Sequence, residues 1–360
     1  MIHDICFTTG WLEKKRKELK GVDPSFLERA LHAFALLGHL AESDLKFVFK
    51  GGTSLLLHVP VIRRLSIDID ILCSAPAAEL NRILEAVAKV PPFIRYEEDE
   101  RGSRGMPERR HFKFFYTPLV KGNPATYVFL DVVEESHVPH EVVAKPITPS
   151  ILEIRREILV TVPTIESLLA DKLSAFAPRT TGVPFKPANG QPADTMQIVK
   201  QLFDVGELFN IAEDLTEVRR VYKKVFDLEN VYRGNGFTPT NALEDTLQAS
   251  LSLSRHRLKG VKDDTPEALM LEDGARKLTS HLVNHRFNLD DAKLAAAKAA
   301  LVARLLAKED SGQSLAEFRT ILNSDGLREL EIAGEWERLN RLKSINPEAF
   351  WYWYQASRLG

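Results

Sequence analysis

The sequence predicts an α+β protein in two parts, a sheet-containing half over residues 1–162 and an all-helical half over residues 163–360. Five short segments rich in β-branched or aromatic residues lie between residues 46 and 162, the composition that suits a pleated, half-buried surface. From Thr164 onward strand signals stop and apolar residues recur with helical period. Pro163 and the capping residue Thr164 stand at the change.

In chain order, residues 11–20 and 24–43 read as two helices, the second entered by Asp23 as N-cap with Pro24 just inside it. The strand candidates are KFVFK (46–50), IDIDILC (67–73), HFKFFYT (111–117), TYVFLDVV (126–133) and EILVTV (157–162), with helical stretches at 53–58 and 76–89 between them. Helical segments follow at 164–177, 193–211, 214–227, 240–256, 265–284, 290–307 and 314–323. The Pro- and Gly-rich run 178–194 reads as a long loop inside that half.

With 44% hydrophobic and 27% charged residues among 360, the chain has the composition of a globular protein rather than a disordered or disulfide-framed one. Its 48 Lys and Arg nearly cancel its 50 Asp and Glu, so any polynucleotide contact must use a local patch. Cys6 and Cys73 are too far apart for a CxxC metal or redox pair, which fits a reducing cytoplasm. The N-terminus has no basic start followed by an apolar run, and no apolar run approaches the roughly 20 residues that span a bilayer; neither export nor membrane insertion is expected.

The chemistry is concentrated in residues 49–72, FKGGTSLLLHVPVIRRLSIDIDIL. On a strand Ile67, Ile69 and Ile71 point to one face while Asp68 and Asp70 share the other. Paired carboxylates repel unless a cation lies between them, and oxygen ligands favour Mg²⁺. Asp131 interrupts the apolar strand TYVFLDVV, so adjacency of the two strands would gather three carboxylates. Gly51 and Gly52 form a strand-to-helix turn whose backbone can approach a phosphate, with the following amides and the Thr53 and Ser54 hydroxyls as donors. Walker and dinucleotide-binding glycine patterns are absent. Each element also has an ordinary reading: a solvated Asp-x-Asp face, a plain glycine turn, and an Asp131 satisfied by backbone amides or placed at an edge.

Lys50-Gly51-Gly52-Thr53 followed by Arg64-Leu65-Ser66-Ile67-Asp68-Ile69-Asp70 resembles the motif of the AbiEii family of bacterial nucleotidyltransferases, a polymerase-β-like branch that includes the MenT toxins. The likeness is specific over residues 49–71 and extends more loosely across roughly residues 30–210, through Asp131, ESLLADKLSAFAPR and KQLFDVGEL. It implies a polymerase-β-like domain with a mixed sheet. It also implies Asp68 and Asp70 as Mg²⁺ (or Mn²⁺) ligands, Asp131 as third carboxylate and base, and Gly51, Gly52, Thr53 and Ser66 around the triphosphate of an NTP. Lys172 corresponds to a family lysine. Periodicity independently places it on the apolar stripe of Ile165, Leu168, Leu169 and Phe176, facing an anion, the alternative being a side chain that snorkels to solvent. Arg179 lies just past that helix as a further phosphate ligand. Lys200 and Asp204 match the family's last segment, but Gln201 replaces its first Asp, and an i,i+4 surface ion pair explains them equally.

The resemblance implies transfer of NMP from an NTP to RNA, with the tRNA 3′ end as acceptor, by a toxin of a toxin–antitoxin or phage-defence pair, with a cognate antitoxin as partner and the helical half closing over the site. Basic candidates for RNA are Arg63 and Arg64, the segment RGSRGMPERRHFK (101–113), and Arg219, Arg220, Lys223 and Lys224; solvated surface is the competing reading for these. FWYWYQ (351–355 with Phe350) offers base stacking or core packing. Nucleotidylylation of a protein or small molecule, and a nucleotide- or RNA-binding module without turnover, are the alternatives to the RNA reaction.

Overall fold

A computed structural model of the protein describes residues 1–20, 22–99, 109–120, 122, 126–135, 138–187, 190–260, 265–309, 312–321 and 324–359. It divides into two compact units: Met1–Thr164 joined by Ser280–His285, and Ile165–Thr279 joined by Arg286–Gly360.

The first unit begins with α1 (Thr9–Glu18) and α2 (Pro24–Glu42), and Asp23 caps α2 by accepting from the Ser25 and Phe26 amides. Then come β1 (Val48–Lys50), the single turn α3 (Gly51–Ser54), β2 (Ile69–Cys73), α4 (Ala77–Val87), β3 (Phe93–Glu98), β4 (Arg109–Tyr116), β5 (Tyr127–Glu134), β6 (Val142–Pro146) and β7 (Leu159–Pro163). Five strands form one mixed sheet in the order β1-β2-β5-β4-β3, in which β2 and β5 run parallel and the other neighbours antiparallel. β6 and β7 make a separate antiparallel pair.

One sheet face is apolar. Ile69, Ile71, Phe112, Phe114, Leu130 and Val132 join Leu27, Leu31 and Phe34 of α2 and Leu80, Ile83 and Leu84 of α4 in a single buried cluster. Full burial of each such side chain contributes roughly 1.5–3 kcal/mol. Ser280–His285 closes on the chain that leads into β2: the Leu65 amide donates to the His281 carbonyl at 3.0 Å, and the Val283 amide to the Arg63 carbonyl at 2.8 Å.

The second unit is built from α5 (Ile165–Ala175), α6 (Thr195–Phe209), α7 (Leu215–Tyr232), α8 (Pro239–Arg255), α9 (Pro266–Leu278), α10 (Leu289–Ala307), α11 (Ser324–Arg328), α12 (Leu342–Ile345) and α13 (Pro347–Arg358). Side chains of Asp194, Asp214, Thr238, Thr265, Asn288 and Asn346 cap the entries to α6, α7, α8, α9, α10 and α13, satisfying amides that lack an intrahelical partner. The alanine-rich α10 is buried along much of its length and packs against α6, α8 and α13, because small side chains let several helices approach one axis.

Several expectations are corrected. β3 and β6 were not anticipated: β3 carries Arg95, Glu97 and Glu98 at a sheet edge without a regular alternation, and β6 exposes most of its side chains. The helix expected at 314–323 is a short 3₁₀ stretch, Leu315–Arg319. Of the two readings of FWYWYQ, core packing is the one borne out: it lies on α13, where Trp353 is fully buried, donates from Nε1 to Ser254 Oγ at 3.0 Å and meets Trp336 edge-on. Arg219 leaves the basic face of α7 to donate to the Leu305 and Leu306 carbonyls at 2.8 and 2.6 Å, occupying orphan acceptors at the end of α10. Of the basic segment 101–113, residues 101–108 lie outside the described residues.

Candidate active site

Strand register assembles the site. Lys50 of β1 pairs with Asp70 of β2, Asp70 with Asp131 of β5, and Asp131 with His111 of β4. Directly paired residues on neighbouring strands share a face, so these four form a row across the sheet on the side opposite the apolar cluster. Burial alternates accordingly: Ile67, Ile69 and Ile71 are buried while Asp68 and Asp70 are partly exposed. Asp131 is likewise partly exposed between the buried Leu130 and Val132.

Asp70 and Asp131 sit on adjacent strands, whose spacing is about 4.8 Å, and each has a protein neighbour that orients it. His111 Nδ1 lies 2.7 Å from Asp131 Oδ1, so its N–H donates to the carboxylate and orients it. Gly51 has φ +80°, and a Cβ there would stand 2.1 Å from Asp70 Oδ2. Only glycine permits both that backbone conformation and the close approach of the turn to the carboxylate. A Cβ on Gly52 would meet the Arg64 guanidinium at 2.7 Å, and Arg64 is itself buried.

The hydroxyls expected to face phosphates have other partners. Thr53 Oγ1 donates to the Asp68 carbonyl at 2.6 Å and Ser54 Oγ to the Gly51 carbonyl at 2.8 Å, and both side chains are buried. Thr53 ties the turn to the strand end that carries the acids, and Ser54 closes the turn on itself. Ser66 is buried just upstream of Asp68.

Among the described residues no three His, Cys, Asp or Glu side chains are gathered as a metal-holding cluster. Asp131 is engaged by His111 and Asp70 lies against the turn, so each is oriented by a protein neighbour. The donors nevertheless suit a hard divalent cation: Asp68, Asp70 and Asp131 are all carboxylates, two of them in register on adjacent strands, the ligand type that Mg²⁺ and Mn²⁺ take.

The other candidates belong to the second unit. Lys172 is buried on α5 among Leu168, Leu169, Leu173 and Phe176, with Nζ 3.5 Å from Asp171 Oδ2; it does not snorkel. Arg179 is committed to acids of its own unit: its amide donates to Asp245 Oδ2 at 2.6 Å, and its guanidinium lies 3.2 Å from Glu267 Oε1. Burial pushes the Asp245 carboxyl upward despite that cation. Asp204 is buried on α6, so whatever it pairs with, it is not part of a solvated surface.

Lys50 entered the sequence analysis only as part of the family motif and His111 only within a strand candidate and the basic segment 101–113, neither with a role beside the acids. The alternation in HFKFFYT already sets His111, Lys113 and Phe115 on one face, but nothing local says that this face is shared with Asp131.

The family model for "Nucleotidyl transferase AbiEii toxin, Type IV TA system" matches residues 35–339. The match runs well past residue 230, into helices for which the sequence offered no motif. No curated protein sequence matches the chain. Similar solved structures include MenT4, a nucleotidyltransferase toxin from Mycobacterium tuberculosis H37Rv, at 16% identity and TM-score 0.48 over 90% of this chain and 93% of that one. JHP933 from Helicobacter pylori is similar at 15% identity and TM-score 0.41, over 79% of this chain and 93% of that one.

Proposed function

The chain belongs to the AbiEii nucleotidyltransferase toxin family of type IV toxin–antitoxin systems, and from that membership we propose that it transfers NMP from an NTP to an RNA hydroxyl, the 3′ end of tRNA being the acceptor. The observation that carries this reading is the in-register pairing of Asp70 with Asp131 beneath the Gly51 turn. Fixing two like charges side by side costs stability, and the arrangement makes sense where a positively charged or phosphoryl-bearing ligand is to be held.

In the proposed reaction the acceptor oxygen forms a bond to the α-phosphorus, the bond from that phosphorus to the β-phosphate bridging oxygen breaks, and pyrophosphate leaves. Asp131 takes the proton from the attacking hydroxyl, and His111 holds the receiving carboxylate in place through the 2.7 Å contact. Backbone amides of Gly51 and Gly52 donate to the triphosphate, as glycine turns at strand ends commonly do, while Thr53 and Ser66 shape that turn and the strand entry. Asp68, Asp70 and Asp131 would hold Mg²⁺, which when bound offsets phosphate charge and lowers the pKa of the attacking hydroxyl. The family likeness carries Lys172, Arg179 and Asp204 as nucleotide-binding residues; in this structure Arg179 holds Asp245 and Glu267. Such a site works by positioning and electrostatics rather than by covalent catalysis.

The biological setting belongs to the same proposal: a cytoplasmic enzyme that arrests growth and is neutralised by a cognate antitoxin. Two buried free thiols are compatible with a reducing compartment, and no helix among the described residues is long and apolar enough to cross a membrane.

Purified protein incubated with Mg²⁺, each α-³²P-labelled NTP and total tRNA tests the reaction. Label should enter tRNA with the wild type and fall by roughly a thousandfold or more with Asp70→Ala, the scale of losing a principal electrostatic element of a transition state. Label on protein or on a small molecule instead of RNA would reject the RNA acceptor, and label retained by Asp70→Ala would reject the site.

A further inference from the structure

The row of acids occupies only one end of the open sheet face. Continuing along β5 from Asp131, the residues on that face are Phe129 and Tyr127, and along β4 from His111 they are Lys113 and Phe115, with Lys113 paired to Phe129 and Phe115 to Tyr127. Their alternate neighbours Val128, Leu130, Phe112 and Phe114 are fully buried, whereas Phe115, Tyr127 and Phe129 are each partly exposed. The rings adjoin one another at steep angles: Tyr127 lies 5.0 Å from Phe129 at 72° and 5.6 Å from Phe115 at 60°, so each offers its own face. Cations flank them. Lys113 Nζ stands 5.3 Å from the Tyr127 ring and 5.9 Å from that of Phe129, and the Arg95 guanidinium lies 3.5 Å over Phe115.

Cross-strand aromatic pairs stabilise a half-buried sheet face, and here the same pairs lie beside the row that carries Asp131. From these observations we propose that Phe129, Tyr127 and Phe115, with Lys113 and Arg95, form a stacking platform for the unpaired nucleotides at the acceptor end of the RNA. The proposal rests on the RNA reading above. Four residues of strand separate Tyr127 from Asp131, about 13 Å at strand rise, which is more than the single base of an NTP fills and accommodates successive bases of a strand whose terminal hydroxyl reaches Asp131. The cations complement the phosphates between those bases. Lys113 is already 3.2 Å from Asp99, and Arg95 pairs with Glu97, so two of the cations at the rings are offset locally, while the Arg29 guanidinium lies 5.9 Å from the Tyr127 ring. Stacking therefore supplies most of the affinity, and the dependence on salt is shallower than for a site built from bare cations. Because every base has a π-face, the platform tolerates sequence and selects for single-strandedness.

The test uses the full chain and a short fluorescent oligoadenylate, read by anisotropy without NTP, beside a duplex of equal length. Replacing Phe129 and Tyr127 by leucine keeps apolar volume but removes the π-faces, and melting temperature reports whether the fold is kept. Affinity for the oligoadenylate should drop roughly fivefold to a hundredfold per stacked base, the Phe129→Tyr and Tyr127→Phe exchanges should retain it, and the KM for NTP should not move. Unchanged oligoadenylate affinity in the leucine variant, with label still entering tRNA, would overturn the platform alone. A raised KM for NTP with unchanged oligoadenylate affinity would also overturn it, assigning the rings to the incoming base. A wild type that labels a non-RNA acceptor and binds no oligoadenylate would sink the RNA reading and the platform together.

Discussion

The two faces of the five-stranded sheet are made from the same strands and have opposite contents. On one, Ile69, Ile71, Phe112, Phe114, Leu130 and Val132 are buried against α2 and α4. On the other, alternate residues of the same segments place Lys50, Asp70, Asp131 and His111 in a row. The strand period of two lets a single segment specify a core and a reactive surface almost independently. Stability should therefore reside in one set of side chains and turnover in the other, and substitutions can be chosen to break that separation.

The largest expected effect pairs the Asp70→Ala activity loss with a thermal melt. Asp70 is paired with Lys50 on one side and Asp131 on the other, so removing its carboxylate relieves a repulsion and forfeits an attraction; the melting temperature should stay close to that of the wild type while transfer is lost, and a marked drop would mean that Asp70 holds the fold as well. Phe114→Ala attacks the other face and should cost about 3–5 kcal/mol in chemical denaturation, with kcat of the folded fraction nearly unchanged.

Next in size is a pH effect from the core itself. His32 of α2 stacks on Tyr116 at 3.6 Å and its Nδ1 donates to the Glu28 carbonyl at 2.8 Å; burial pushes its pKa down from 6.5 to about 4. The unfolded chain takes up a proton below about 6.5 that the folded chain refuses until about 4. Stability from this group is thus intact above the unfolded value and falls as pH drops through that window, by about 3 kcal/mol in total. Urea unfolding of the wild type and His32→Leu between those limits should show the extra slope in the wild type only, and parallel slopes would count against a neutral buried ring.

The smallest predicted effect concerns a residue that positions another. His111→Ala should lower kcat by roughly 10- to 100-fold, the range for loss of an orienting partner, and leave the KM for NTP and the melting temperature near wild type. His111→Asn, whose amide can donate to Asp131 in place of the ring, should recover part of kcat. Equal loss in both variants would assign His111 a role other than orientation.

Much of the first unit could be read from local pattern. Asp23 and Pro24 announced α2, Gly51 the turn, and the alternation of Ile and Asp the two-faced strand β2; in the second unit the apolar stripe of α5 announced the buried position of Lys172, since each depends on neighbours a few residues away. β3 escaped because FIRYEE is an edge strand with charge on much of its length, and β6 because VVAKP buries little. The Arg219 cap on α10 escaped because a basic helix face looks the same whether it meets solvent or the carbonyls of a helix 86 residues away in sequence.

By itself, then, the sequence determined the α+β order, the glycine turn, the acids and the family, all of which are carried by spacing within short segments. Strand order and register were decided only in three dimensions. Asp70 lies beside Asp131, and Asp131 opposite His111, because β5 enters between β2 and β4, and Ser280–His285 returns across more than 200 residues to brace Arg63 and Leu65. Those pairings depend on burying one sheet face against α2 and α4, and a one-residue slip would turn every acid inward and every Ile outward. The cost of such an inversion, rather than any local preference, is what holds the acids in their row.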